Sequence, residues 1–178
     1  MDMKKMWNYI SISALIITGI QIGIMIVFYC FYTDLFSTVI QLLFSYPIWI
    51  ISVVYFIVKY RKTSLELSFK DTFTLAFGMI LFSVILEKML LFIFINLFDS
   101  NLMELQKSNN VNFLMGFLED IDHSQDKTEL QNTIDYIKKI DIKRISIGGI
   151  LNATIFSTPI YCIISLILAF FLKKRQKT

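Results

Sequence analysis

The sequence predicts an all-α fold: an integral membrane four-helix bundle with a helical extracytoplasmic insert between the third and fourth helices. Three observations carry this. Of 178 residues, 56% are hydrophobic and only 17% charged, against roughly 45–50% and about 25% in soluble domains. The apolar residues gather in four runs, at 10–32, 39–58, 72–98 and 145–172, each long enough for the about 20 residues that cross a hydrocarbon core. None of the runs carries the polar stripe of a soluble bundle helix. Between Ile22 and Tyr32, for example, only Gly23 and Cys30 interrupt the apolar residues. The chain reads as one membrane domain over 1–178, with 99–144 outside the bilayer.

The first run follows Lys4 and Lys5, as a signal peptide does, but it is too long for a signal h-region. No small-residue cleavage site follows, and Val27, Phe28 and Tyr29 before Cys30 exclude a lipoprotein signal, so the run is expected to stay as a span. Within it, Gly19 and Gly23 have the small-xxx-small spacing that lets helices approach closely in lipid. The fourth run carries a longer version in Gly149, Ala153 and Ser157, continued by Ser165 and Ala169 with Tyr161 interrupting. These two ridges are the expected packing seam, within one chain or between two. The competing reading is chance, since small residues are common in membrane helices.

The second run contains Pro47 and the fourth Pro159. Each removes a backbone donor and predicts a kink. Broken helices line transporter sites, yet isolated prolines are ordinary in spans. The third run opens on Ser68-Phe69-Lys70-Asp71, a capping-box pattern. It then runs on so far that it has to tilt or protrude.

Lysine and arginine set the orientation. The amino terminus, the link at 59–71 and the carboxyl tail hold ten cations and three acids, whereas the other connections hold six and ten. Both termini are therefore expected in the cytoplasm. The basic ends mark topology and anionic lipid contact; nucleic acid is not an expected partner, because no soluble basic domain exists to bind it. Cys30 and Cys162 fall at different depths, too far apart for a disulfide, and two free thiols are expected. In the insert, 112–122 reads as a short helix at the membrane surface. After Asp126-Lys127-Thr128-Glu129, Leu130, Ile134, Ile137 and Ile140 recur at helical spacing. That predicts an amphipathic helix packed on the membrane, on the first loop helix or on a partner.

One feature stands out against the oil: Glu87 and Lys88, side by side in VILEKMLLF. Neighbours on a helix point about 100° apart, so they cannot form a good mutual ion pair. Lys88 can snorkel to headgroups. Glu87 has a shorter reach and is expected to face the bundle, accepting hydrogen bonds from Gln41 or Asn152, or to be protonated. An intramembrane acid is a functional-site hypothesis, but proton and ion paths usually hold several. The other spans offer Gln21, Gln41, Asn96 and Asn152, none ionisable, which favours a packing or topology role.

Catalytic signatures are missing. The single histidine, His123, stands in the acidic stretch Glu119-Asp120-Ile121-Asp122; a solvated acidic loop explains it more simply than a metal site. The sequence has no zinc-protease, P-loop, nucleophile-elbow or paired-cysteine motif. No enzyme activity, cofactor, metal or small-molecule ligand is read from it.

Three stretches together resemble the DUF4199 family of small four-span membrane proteins, found mainly in Bacteroidota. They are Tyr60-Arg61-Lys62 followed by Ser68-Phe69-Lys70-Asp71-Thr72-Phe73 and Gly78; the acidic helical loop containing Thr128 to Lys139; and Ile163-Ile164-Ser165-Leu166-Ile167 closing on Lys173-Lys174-Arg175. The charged pair Glu87-Lys88 is not part of the pattern. The resemblance covers nearly the whole chain and implies the inner membrane of a Gram-negative envelope, with no assigned activity. The leading expectation is a non-enzymatic envelope accessory or scaffold working through protein partners or as a homo-oligomer. The alternative is a small transporter or channel using Glu87. A lipid-modifying enzyme ranks third, for want of a nucleophile, base or metal set.

Overall fold

The computed structural model describes residues 3–33, 38–63, 67–97, 101–120, 124–139 and 146–173, leaving out the side chains of residues 38–42, 120, 124 and 125. The last two residues of the short helix expected at 112–122, and Ile140, Lys174, Arg175 and His123, fall outside that range.

Four long helices form: α1 (Met3–Phe31), α2 (Thr38–Thr63), α3 (Phe69–Leu97) and α6 (Ile147–Leu172). All four are long and apolar enough to cross a membrane. Between α3 and α6 stand α4 (Leu102–Asp120) and α5 (Ser124–Lys139). Among the described residues the fold is all-α, as the length of the apolar runs predicts. The helix expected at the membrane surface is longer than its apolar segment and starts ten residues earlier, because Leu102 is needed as an anchor: it is buried with Ile95 among Met25, Phe28 and Phe94.

Local chemistry sets the helix ends. The Asp71 amide donates to the Ser68 hydroxyl at 3.1 Å, and the Asp71 carboxylate accepts from the Ser68 hydroxyl at 2.7 Å and from its amide at 3.4 Å. Helix α3 thus starts at the expected capping box. Ser146 caps α6, accepting from the Gly149 amide at 3.0 Å. Pro47 and Pro159 both sit inside uninterrupted helices, on exposed faces.

Helix α3 is the hub. It packs on α6 and α1 most extensively and also on α2. The closest approach is at Gly78, where an added Cβ would meet the Ile10 side chain at 3.0 Å. The core around this crossing holds Met6, Ile10, Ile17, Val53, Ile57, Leu75, Met79 and Ile80. The exterior is as apolar as the interior: Phe156 is 82% exposed, Phe31 76% and Phe171 74%. Meanwhile Ser13, Thr18, Gln21, Thr72, Ser83 and Ser165 are buried. Polar groups turned inward and large apolar ones turned outward are the arrangement that hydrocarbon surroundings favour.

The seam expected between α1 and α6 is not built within the chain. Gly19 and Gly23 are exposed, with nothing within 4 Å of an added Cβ. Gly149 and Ala153 are exposed, and Ser157 spends its hydroxyl on the Ala153 carbonyl of its own helix at 2.7 Å. The glycine that matters is Gly78, on α3, a helix outside the expected seam. Helix α6 reaches α3 through the lower part of its ridge instead, where Ser165 and Ala169 are buried.

Helix α5 packs on α4, burying Ile134 completely. Lys107 of α4 donates to the Lys138 carbonyl at the end of α5 at 2.8 Å, a cation placed at the negative end of a helix. Of the three surfaces expected for the amphipathic stripe, the first loop helix is one that it covers. Asn109 ties α4 back to the end of α1 by donating to the Thr33 carbonyl. Cys30 and Cys162 are both free thiols.

Candidate functional site

Side chains from all four spans meet in one polar layer. On α1, Thr18 and Gln21 are buried one turn apart. The Thr18 hydroxyl lies 2.8 Å from the Ala14 carbonyl and 3.2 Å from the Ser83 carbonyl, sharing one proton between them. Gln21 donates its Nε2 to the Ser45 carbonyl of α2 at 3.1 Å. On α2, Trp49 donates its Nε1 to the Ser83 hydroxyl at 3.1 Å, and Ser83 donates to the Ile80 carbonyl at 2.9 Å. Threonine, tryptophan and serine thus form a relay that joins three helices with each donor satisfied.

Above this relay opens a cleft of about 170 Å³, lined by Gln21, Ser45, Tyr46, Trp49, Val84, Glu87, Lys88, Leu91 and Tyr161. Ten helical residues separate Glu87 from Leu97 at the end of α3, which is about 15 Å at 1.5 Å per residue. Gln21 stands equally far from Phe31, and Trp49 eleven residues from Thr38. The cleft therefore stands about half the thickness of a 30 Å hydrocarbon layer away from these helix ends. Its walls are aromatic. Tyr46 and Trp49 meet edge to face with centroids 5.8 Å apart, and Trp49 and Tyr161 do so at the same separation.

Glu87 and Lys88 both reach this cleft, although they leave the helix in different directions. Among the described residues Glu87 makes no hydrogen bond and no ion pair. Lys88 is half-buried and extends across to α6, donating to the Thr154 hydroxyl at 3.4 Å. It turns into the protein where snorkelling to headgroups was expected. Asn152, expected beside Glu87, is exposed on α6 and does not line the cleft. The side chain of Gln41, the other expected partner, lies outside the described residues. The amide that does line the cleft is Gln21. A second hollow, lined by Ile22, Met25, Ile26, Leu90, Ile93 and Phe94, holds no polar side chain.

The family model described as "Protein of unknown function (DUF4199)" matches residues 12–174. The chain belongs to the DUF4199 family. The match spans most of the chain and includes every side chain of the cleft, from Gln21 to Tyr161. Comparison with curated proteins and comparison with solved structures each give no match. For this DUF4199 chain the chemistry is accordingly argued from the cleft itself. Among the described residues no three potential metal ligands come together.

Sequence reasoning passed over Tyr46, Trp49, Thr154 and Tyr161, which pass as ordinary span residues one at a time. A signal existed in their spacing. Thr18 and Gln21, Tyr46 and Trp49, Ser83 and Glu87, and Thr154 and Tyr161 stand three, three, four and seven residues apart. Each pair therefore lies on one face of its helix, and four such faces suffice to build a polar interior.

Proposed function

We propose that this protein is a small non-enzymatic membrane transporter or channel whose cargo passes or docks at Glu87. One observation carries the reading: a carboxylate that makes no hydrogen bond and no close ion pair among the described residues lines a cleft to which all four spans contribute. A packing role would pair the acid; a binding role leaves it open. The sequence alone ranks a scaffold first, because it offers one acid and no path. The cleft adds the phenols of Tyr46 and Tyr161 and the indole of Trp49, and it brings Gln21 and Lys88 to the acid's side.

The proposed setting is a bacterial inner membrane, with both termini in the cytoplasm and the α4–α5 hairpin outside. Lys4, Lys5, Arg61, Lys62 and Lys70 near the ends opposite the hairpin support that orientation. Purified protein in liposomes, given a pH gradient or a solute gradient, tests the function. The parent chain should dissipate one of these, and Glu87→Gln should not. Equal leakage in parent, variant and empty liposomes sinks the proposal.

A second reading keeps the envelope scaffold. It is favoured by the α4–α5 hairpin, which leaves Tyr136 68% and Phe117 51% exposed at one end of the molecule. A photo-crosslinker at Tyr136 should then trap the same protein reproducibly in native membranes.

A further inference from the structure

The cleft presents opposite charges side by side that form no close ion pair with each other. Glu87 and Lys88 are adjacent on α3, and both line it. Lys88 is drawn toward Thr154, on a bond long enough at 3.4 Å to leave its ammonium hydrogens available. Glu87 makes no hydrogen bond or ion pair among the described residues. Charges withdrawn from water are tolerated when paired. A proton on Glu87 would leave Lys88 uncompensated, and so would a single bound cation. A ligand carrying both signs would satisfy the two together and enter the low-dielectric layer with no net charge.

The walls decide which positive group fits. Hard inorganic cations ask for about six to eight oxygens when they are Ca²⁺, or a near-octahedral set when Mg²⁺. Here Trp49, Tyr46 and Tyr161 stand edge to face around the acid's cleft. Aromatic groups beside a carboxylate suit an organic ammonium. Lys88 and the Thr154 hydroxyl on the α6 side suit a carboxylate or phosphate.

We infer that the cleft binds a small zwitterion, an ammonium a few bonds from an anion, with the ammonium at Glu87 among Tyr46, Trp49 and Tyr161 and the anion at Lys88. This deepens the transport reading and rests on it for the physiological role. The same chemistry exists in free amino-acid-like solutes and in zwitterionic lipid headgroups.

The chain has two tryptophans, so Trp7→Phe leaves Trp49 as the reporter in the cleft wall. Full-length protein in a maltoside detergent is titrated with glycine betaine, with dihexanoyl-phosphatidylcholine below its micellar concentration, with tetramethylammonium, with acetate and with dihexanoyl-phosphatidylglycerol. At least one of the two zwitterions should change Trp49 fluorescence saturably, and the cation and the anions alone should bind at least about tenfold more weakly. Binding of betaine identifies a free solute; binding of the phosphatidylcholine alone identifies a headgroup. Lys88→Met should weaken the zwitterion and strengthen tetramethylammonium until the two match. Equal binding of the single-charge probes to the parent chain, or no saturable response to either zwitterion, overturns the inference. That comparison needs only the cleft intact, so a misfolded variant cannot rescue it. Proton flux that Glu87→Gln abolishes, with no zwitterion bound, would overturn this inference and leave the ionisable-site reading standing.

Discussion

At the scale of single residues, the relay and the acid make different predictions. Ser83 accepts the Trp49 indole N–H, and both are buried. Ser83→Ala leaves that donor orphaned and should cost about 1–3 kcal/mol, read as a lower midpoint of thermal unfolding in detergent. Adding Trp49→Phe removes the orphan, so the double variant should lose less than the two single losses summed. Glu87 makes no bond for Glu87→Gln to break among the described residues. That variant loses only the attraction to Lys88, so it should lower the unfolding midpoint by less than Ser83→Ala does while losing transport. A midpoint lowered as far as in Ser83→Ala, together with retained flux, would make Glu87 a structural residue. Lys88 shows why charge alone misleads: its stem could reach headgroups, but Thr154 on a neighbouring helix offers an acceptor closer by.

At the scale of elements, the crossing of α1 and α3 is the sensitive joint. The Ile10 side chain lies 3.0 Å from where a Gly78 Cβ would stand. Gly78→Leu has to push the two helices apart and should destabilise by about 1–3 kcal/mol or more. The same substitution at Gly19 or Gly23, which face open space, should change the unfolding midpoint little. Helix α5 holds to α4 through fully buried Ile134. Ile134→Asp should free α5 for protease cleavage while the spans stay protected, because local opening needs only the local contacts to fail. Unchanged digestion would mean that other contacts hold the hairpin. Pro47 and Pro159 lie within continuous helices, each removing one backbone donor from its own helix.

At the scale of the whole molecule, the protein is ordered from outside to inside in reverse of a soluble domain. Bulky apolar groups cover it and hydroxyls, an amide and two charges occupy the middle, since lipid solvates the first and nothing solvates the second. The proposed orientation has a direct test in a variant lacking Cys30 and Cys162. In spheroplasts an impermeant maleimide should label Asn132→Cys on α5 at once and Thr178→Cys only after lysis. The reverse pattern would overturn the orientation and leave the fold untouched.

The four spans, the start of α3 at Ser68, the two free thiols and the amphipathic helix of the insert were legible in the amino-acid order. Each depends on length, composition or neighbours within a turn, and those act before the chain folds. That order also marked Glu87 and Lys88 as costly. Their surroundings came from the packing of helices far apart in the chain. Which face of a uniformly apolar helix turns inward is nearly silent in sequence, because in lipid both faces are oily and no water sorts them. The choice of α3 as hub, of Gly78 over Gly19 and Gly23 as the close contact, and of Gln21 over Asn152 as the amide in the cleft follows from shape fit between helices far apart in the chain.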